Sequence, residues 1–148
     1  MKDLVILAGG KGRRLGRLTK KNQKTMLNFA KLPFLRYLLN YYCKFNINKI
    51  FIITSFNSKN IFKKFHKKKI NFTEVICIKE KKLLGTGGAL INLKKLKVIN
   101  FLLVNGDTIF DIDIKSLINN VDKKKLGIIA LTKNKNQKNK KLNNLILK

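Results

Sequence analysis

The sequence predicts an α/β fold, a mostly parallel, doubly wound sheet with helices on both faces. Three observations carry this. Short β-branched apolar runs recur along the 148 residues, amphipathic helical patterns fall between them, and glycine-rich or polar turns follow several of the runs.

The elements follow in order. Leu4 to Leu7 is a buried strand that runs into the glycine-rich segment Leu7 to Leu15. Pro33 is placed to open a helix through Phe34, Leu35, Leu38, Leu39 and Tyr42, and Ile50 to Thr54 is the second strand. Ser58 is a cap for a helix carrying Ile61, Phe62 and Phe65, followed by a third strand at Glu74 to Ile78. Thr86 is read as the cap of a helix through Ala89, Leu90 and Leu93, before a fourth strand, Phe101 to Val104. A helix from Ile114 to Val121 and a fifth strand, Leu126 to Leu131, complete the pattern. Lys133 to Lys141 contains only Lys, Asn and Gln and reads as a mobile loop, after which Leu142 to Leu147 resumes an apolar pattern. That late resumption predicts an ancestral fold continuing past residue 148.

Parallel strands joined by right-handed crossovers in the order 3-2-1-4 put the switch point between the first and fourth strands. Ligands bind outside the carboxyl ends of strands at such a point. The glycine-rich loop and Asn105-Gly106-Asp107 should therefore face one another.

Bulk properties narrow the function. At 45% hydrophobic, 148 residues suffice for one domain with a core. No apolar stretch approaches the ~20 residues of a membrane span, and Met1-Lys2-Asp3 leads into a strand with no secretory pattern, so no membrane role and a cytoplasmic location are expected. Cys43 and Cys77 lie in apolar settings and read as small buried hydrophobes, and His66, alone in a basic stretch, reads as a surface residue. A net charge of +27 raises nucleic-acid binding. The abundance of Lys, Asn, Ile and Phe argues instead for compositional bias, and the clusters Lys63-Lys64, Lys67 to Lys69 and Lys123 to Lys125 lack interleaved aromatics, so they read as solvated faces. Nothing in the sequence specifies an oligomeric state.

The loop is suited to phosphate. Leu7 to Leu15 holds three glycines and three cations, which let backbone N–H groups and countercharge converge on an anion. A Walker A loop is excluded because no Gly-Lys-Ser/Thr occurs, and a dinucleotide fingerprint because Leu15 stands where its third glycine belongs. Asp107 follows a buried strand and a glycine in a chain with only 7 acids, a sensible anchor for a Mg²⁺ that also holds substrate phosphates. An Asn-Gly-Asp turn accounts for the same residues without a ligand. Gly85-Thr86-Gly87-Gly88-Ala89 opens a helix whose free N–H groups and dipole would receive a polar ligand, or whose glycines serve close packing.

Together these segments resemble the sugar-phosphate nucleotidyltransferase family, with its Rossmann-like nucleotide-diphospho-sugar transferase fold. Leu7-Ala8-Gly9-Gly10-Lys11-Gly12-Arg13-Arg14-Leu15 is similar to its Leu-Ala-Gly-Gly-x-Gly-Thr-Arg-Leu signature, Lys24 falls where its Pro-Lys-Pro lysine belongs, and Asn105-Gly106-Asp107 matches its Gly-Asp metal motif. Leu84 to Ala89 and Asn105 to Asp113 further resemble the D-glycero-D-manno-heptose 1-phosphate guanylyltransferase branch. The resemblance implies transfer of NMP from a nucleoside triphosphate to a sugar 1-phosphate of heptose or mannose type, with Mg²⁺ as cofactor, for lipopolysaccharide or capsule. Arg14, Lys24 and Asp107 are then the catalytic candidates, with Arg14 on the leaving pyrophosphate, Lys24 on phosphates near the reacting centre and Asp107 on the metal. Leu7, Ala8, Gly9, Gly10, Lys11 and Gly12 would hold the nucleotide, with Gly85 and Thr86 over the base and Asn105 and Gly106 beside the metal residue. Glu80 matches a base-contacting position, and a carboxylate suits the adjacent N–H donors of guanine, which favours GTP; it also reads as a charged residue in the solvated Lys79 to Lys82 stretch.

Departures from the family pattern qualify this. Arg13 replaces Thr, and Gln23 and Thr25 replace the prolines beside Lys24, which is expected to leave that lysine less preorganised. The family's later Glu-Lys-Pro segment and second metal-binding Asp have no counterpart, so residues 1–148 read as the nucleotide-binding region without the C-terminal sugar-binding region. Two functions follow: an enzyme making a nucleotide-activated sugar, or an inactive nucleotide-binding fragment or regulatory partner of a full-length enzyme.

Overall fold

The computed structural model describes residues 2–20, 22–82, 84–94, 96–121 and 126–130. Strand β1 (Lys2–Leu7) is followed by two 3-10 turns, Arg13–Thr19 and Lys24–Met26, and by a two-residue antiparallel pair, β2 (Asn28–Phe29) and β3 (Leu32–Pro33). Then come α1 (Phe34–Tyr42), β4 (Ile47–Thr54), α2 (Lys59–Phe65), β5 (Lys68–Ile70), β6 (Thr73–Lys79), α3 (Gly85–Ala89), α4 (Ile91–Lys94), β7 (Phe101–Asn105) and α5 (Ile114–Asn119).

The main sheet has the order β5-β6-β4-β1-β7. The expected 3-2-1-4 arrangement is thus present in β6-β4-β1-β7, all parallel. Its helices and parallel core fit the predicted doubly wound class. Sequence alternation missed β5, which pairs antiparallel with β6 at the edge through only three residues. Its exposed Lys68 and Lys69 make that edge a poor template for another strand.

Burial explains the strands. Leu4, Val5 and Ile6 are inaccessible to solvent, as are Ile50, Ile52 and Val75, the pattern of a sheet covered on both faces. On one face Val5, Phe51 and Ile53 pack with Ala89 and Leu93 of α3 and α4. On the other, Cys77 approaches the Ile61 carbonyl of α2. Helix α1 buries Leu35, Leu38, Leu39 and Tyr42, the i, i+3, i+4, i+7 stripe of an amphipathic helix. Pro33 is its cap residue rather than its first turn, because it is still paired with Asn28.

Several local expectations are corrected. Ser58 precedes α2, yet its side chain makes no capping bond; its carbonyl takes the Phe62 N–H. Thr86 lies inside α3, whose cap position is Leu84, and the expected single helix is two short ones. His66 is half-buried, and its Nδ1 accepts the Cys77 N–H at 3.1 Å, so it closes α2 against β6 instead of standing free on the surface. Cys77 is buried as expected, whereas Cys43 is only half-buried and donates to the Ile70 carbonyl. Burial pushes the Cys77 thiol up to about 12, which keeps it protonated.

Residues Met1–Ile112 form one compact unit and Asp113–Lys148 a second. In the second, Asp113 caps α5 by accepting the Ser116 N–H at 2.9 Å. The fifth strand expected at 126–131 does not form over 126–130: these residues are exposed and pair with no strand among the described residues, and apolar character alone supplies no hydrogen-bond partner. Leu131, Lys123 to Lys125, the loop Lys133 to Lys141 and the run Leu142 to Leu147 lie outside the described residues. Lys63, Lys64 and Lys67 to Lys69 are exposed, as solvated faces should be. No helix among the described residues is long and apolar enough to cross a membrane.

Candidate active site

The carboxyl ends of β1, β4, β6 and β7 open on a cleft of about 690 Å³. Leu7 leaves the sheet opposite Asn105, and Ala8 continues it by donating to the Ile53 carbonyl at 2.7 Å. Gly12 then adopts φ +60 and carries no Cβ, which would sit 2.8 Å from Thr19 Cγ2. The Thr19 hydroxyl closes the loop by donating toward the Gly12 carbonyl at 3.1 Å, with the Gly16 carbonyl at 3.3 Å. The 3-10 turn after Gly12 leaves Arg13 and Arg14 exposed along the cleft.

Across the cleft, the Gly106 N–H donates to the Leu7 carbonyl at 2.8 Å. A Cβ at Gly106 would lie 2.9 Å from that same oxygen and 3.0 Å from Thr25 Cγ2, so only glycine lets the two strand ends approach this closely. The next residue, Asp107, accepts a hydrogen bond from Lys24 Nζ at 3.0 Å and one from the Thr108 hydroxyl at 3.2 Å. Partial burial would raise the Asp107 carboxyl; the Lys24 ammonium, by hydrogen bond and by charge, together with Thr108, outweighs it and holds the group below the usual carboxylate range.

Glu80 meets the cleft differently. It follows β6, its N–H donates to the Thr54 carbonyl at 2.8 Å, and it is only 7% exposed. One carboxylate oxygen, Oε1, has no hydrogen-bond partner among the described residues. Burial raises its pKa, opposed by the Leu84 backbone N–H. The other oxygen stands where a Cβ on Gly9 would be only 2.9 Å away, so Gly9 makes room for the carboxylate.

Most of the residues singled out from the sequence line this one cleft: Leu7 to Gly10, Gly12, Arg14, Lys24, Glu80, Gly85, Thr86, Asn105 and Asp107. Two do not. Lys11 turns its ammonium over the Phe56 ring, 6.0 Å from the centroid, and Gly106 acts through backbone packing. The α3 dipole expected to receive a ligand is short, since that helix spans five residues and then breaks; Gly85 itself has φ +75. The sequence reading passed over Ser55, whose hydroxyl donates to the Gly9 carbonyl at 2.7 Å; Arg13, Leu15 and Thr25, which it quoted within motifs but gave no separate site role, also line the cleft. The polar pair Thr54-Ser55 ending an apolar strand was the available signal.

The match between sequence motifs and geometry extends to known proteins. A family model described as nucleotidyl transferase matches residues 4–142. The chain belongs to the nucleotidyl transferase family. It is 33% identical over 113 residues to the D-glycero-alpha-D-manno-heptose 1-phosphate guanylyltransferase of Campylobacter jejuni, covering 76% of this chain and 51% of that protein. It is 33% identical over 117 residues to the mannose-1-phosphate guanylyltransferase of Mycobacterium tuberculosis, covering 78% and 33%. The crystal structure of HddC from Yersinia pseudotuberculosis complexed with GMP-PN superimposes with a TM-score of 0.70 at 34% identity, over 80% of this chain and 53% of that one. This nucleotidyl transferase chain therefore spans about half the length of such relatives or less.

Proposed function

We propose that the cleft binds a nucleoside triphosphate, GTP by preference, and transfers its nucleoside monophosphate to a sugar 1-phosphate of heptose or mannose type, releasing pyrophosphate. One observation carries this: Lys24 and Asp107 form a solvent-open pair in the cleft that the glycine loop lines.

The sugar phosphate brings an anionic oxygen, so the step needs no general base. That oxygen forms a bond to the α-phosphorus while the bond to the β-phosphate bridging oxygen breaks, its electrons leaving with pyrophosphate. Backbone groups of Leu7 to Gly10 hold the nucleotide, Arg14 meets the departing pyrophosphate, and Lys24 lies against the phosphates at the reacting centre. Asp107 fits a Mg²⁺ role, because its lowered pKa keeps it ionised and its side chain is half-exposed. A cation held by one carboxylate takes most of its ligands from phosphates and water, and bound there it would neutralise charge on the triphosphate. Glu80 and Gly9, with Gly85 and Thr86, make the base end; the unpartnered Glu80 oxygen is an acceptor for guanine N–H groups. The GMP-PN complex of the Yersinia neighbour supports that preference.

Pyrophosphate release with GTP, CTP or UTP, each against heptose, mannose and glucose 1-phosphates in Mg²⁺, tests the reading. Release above the Asp107→Ala background with one pairing is expected. A second reading is nucleotide binding without turnover, alone or beside a full-length enzyme. No release from any pair, with GTP still raising the melting temperature, would select it.

A further inference from the structure

The residue before Lys24 has no role in the chemistry above, yet Gln23 is 2% exposed, an unusual place for an amide side chain. Both ends of that amide are bonded. Its Oε1 accepts from the Thr54 hydroxyl at 2.9 Å, and its Nε2 donates to the Phe56 carbonyl. The Thr54 hydroxyl gives its one proton to Gln23, so the amide ties the Lys24 turn to the end of β4 and to the segment that follows it. The turn itself is closed by Met26 N–H to the Gln23 carbonyl at 2.9 Å and Leu27 N–H to the Lys24 carbonyl at 3.1 Å. On the far side of Lys24, the methyl group of buried Thr25 abuts Gly106.

We propose that Gln23 is a positioning residue for Lys24: its buried amide fixes the turn that delivers the Lys24 ammonium to Asp107 and to substrate phosphate. The inference rests on the reading of the cleft given above. The sequence predicted a less preorganised lysine for want of flanking prolines; the side-chain clamp supplies the restraint that a ring would supply covalently. Gln23 has φ −68 and ψ 152, values proline adopts, so the backbone at this position accepts a proline ring.

Two arms test this, one independent of turnover. In the 148-residue chain, Gln23→Ala should speed amide hydrogen exchange at Met26 and Leu27 by about tenfold, the loss of roughly one buried hydrogen-bonded restraint, while the amides of β1 and β4 keep their protection. It should lower kcat by about tenfold and leave KM for the nucleotide within about threefold, since a misplaced ammonium is felt most in the transition state. Gln23→Pro should recover kcat to within about threefold of the unsubstituted chain by locking the backbone without the amide. Unchanged exchange and turnover in Gln23→Ala would overturn the proposal, and so would a proline variant no better than alanine. If the unsubstituted chain releases no pyrophosphate, the enzyme reading fails by itself and the exchange arm alone decides. Should Gln23→Ala not fold, Thr54→Val removes the hydroxyl from Gln23 Oε1 and is read in the same two ways.

Discussion

Glu80 and Asp107 line the same cleft and meet water on opposite terms. Glu80 is 7% exposed, with one oxygen unpartnered among the described residues, and burial raises its pKa. The Asp107 side chain is 41% exposed and paired with a cation, and its pKa is lowered. A desolvated acceptor is costly to keep and therefore selective toward a donor that satisfies it; a solvated, paired one is cheap to keep and free to exchange partners. On the proposed function, the Glu80 end would discriminate between bases and the Asp107 end would handle moving charge.

The sharpest way to break that contrast is at the phosphate end. Asp107→Ala should reduce turnover by about a thousandfold, the scale of losing a metal's charge stabilisation, with little loss of fold stability because the group is exposed. Pyrophosphate release and a urea melt of the same preparation check both halves. Equal losses of activity and stability would make Asp107 a structural residue.

The strand ends that hold the two regions apart come next. Gly106→Ala forces a methyl group to 2.9 Å from the Leu7 carbonyl, which is itself bound by the Gly106 N–H and cannot retreat, so a loss of about 1–3 kcal/mol in urea unfolding is expected. Gly10 has nothing within 4 Å of its ideal Cβ, and Gly10→Ala should leave stability within about 0.5 kcal/mol.

At the base end, Glu80→Gln replaces an acceptor-only group by one that also donates, and should weaken GTP binding by about tenfold relative to UTP, read from nucleotide-induced melting shifts. Retained selectivity would remove Glu80 from base recognition.

What the sequence disclosed follows the same division. Strand order and the facing of the glycine loop and Asp107 were legible because parallel crossovers permit few topologies and because glycines and a scarce acid mark strand ends, whereas Lys24 stood out only through the family resemblance and its pairing with Asp107 was not foreseen. The Glu80 environment was not, since a carboxylate flanked by Lys79, Lys81 and Lys82 reads as solvated until the loop is seen folding it under Gly9. Nor was the Gln23 clamp, which joins residues 31 and 33 positions apart through side chains no local period records. Edge strand β5 escaped for a related reason: three residues with two lysines carry no alternation signal, and its partner β6 supplies the hydrogen bonds.

The smallest effect expected is on stability against pH, and it separates the two acids by sign. Glu80 has a folded pKa above its ordinary 4.5, so the folded state binds the proton more tightly and the group's contribution falls as pH rises from 4.5 through the raised folded value. Asp107 has a folded pKa below its ordinary 3.8; its contribution is complete above 3.8 and is lost as pH falls from there through the lowered value. Urea midpoints across this range should therefore show Glu80→Gln gaining on the unsubstituted chain as pH rises above about 4.5. Asp107→Asn should lose ground only between the lowered folded pKa and about 3.8, then run parallel. On the proposed reading, the ionisation that weakens the fold at Glu80 would also create its acceptor for guanine, so GTP selectivity should rise over the window in which Glu80 costs stability. Selectivity that held constant there would mean the base is recognised by something other than that carboxylate.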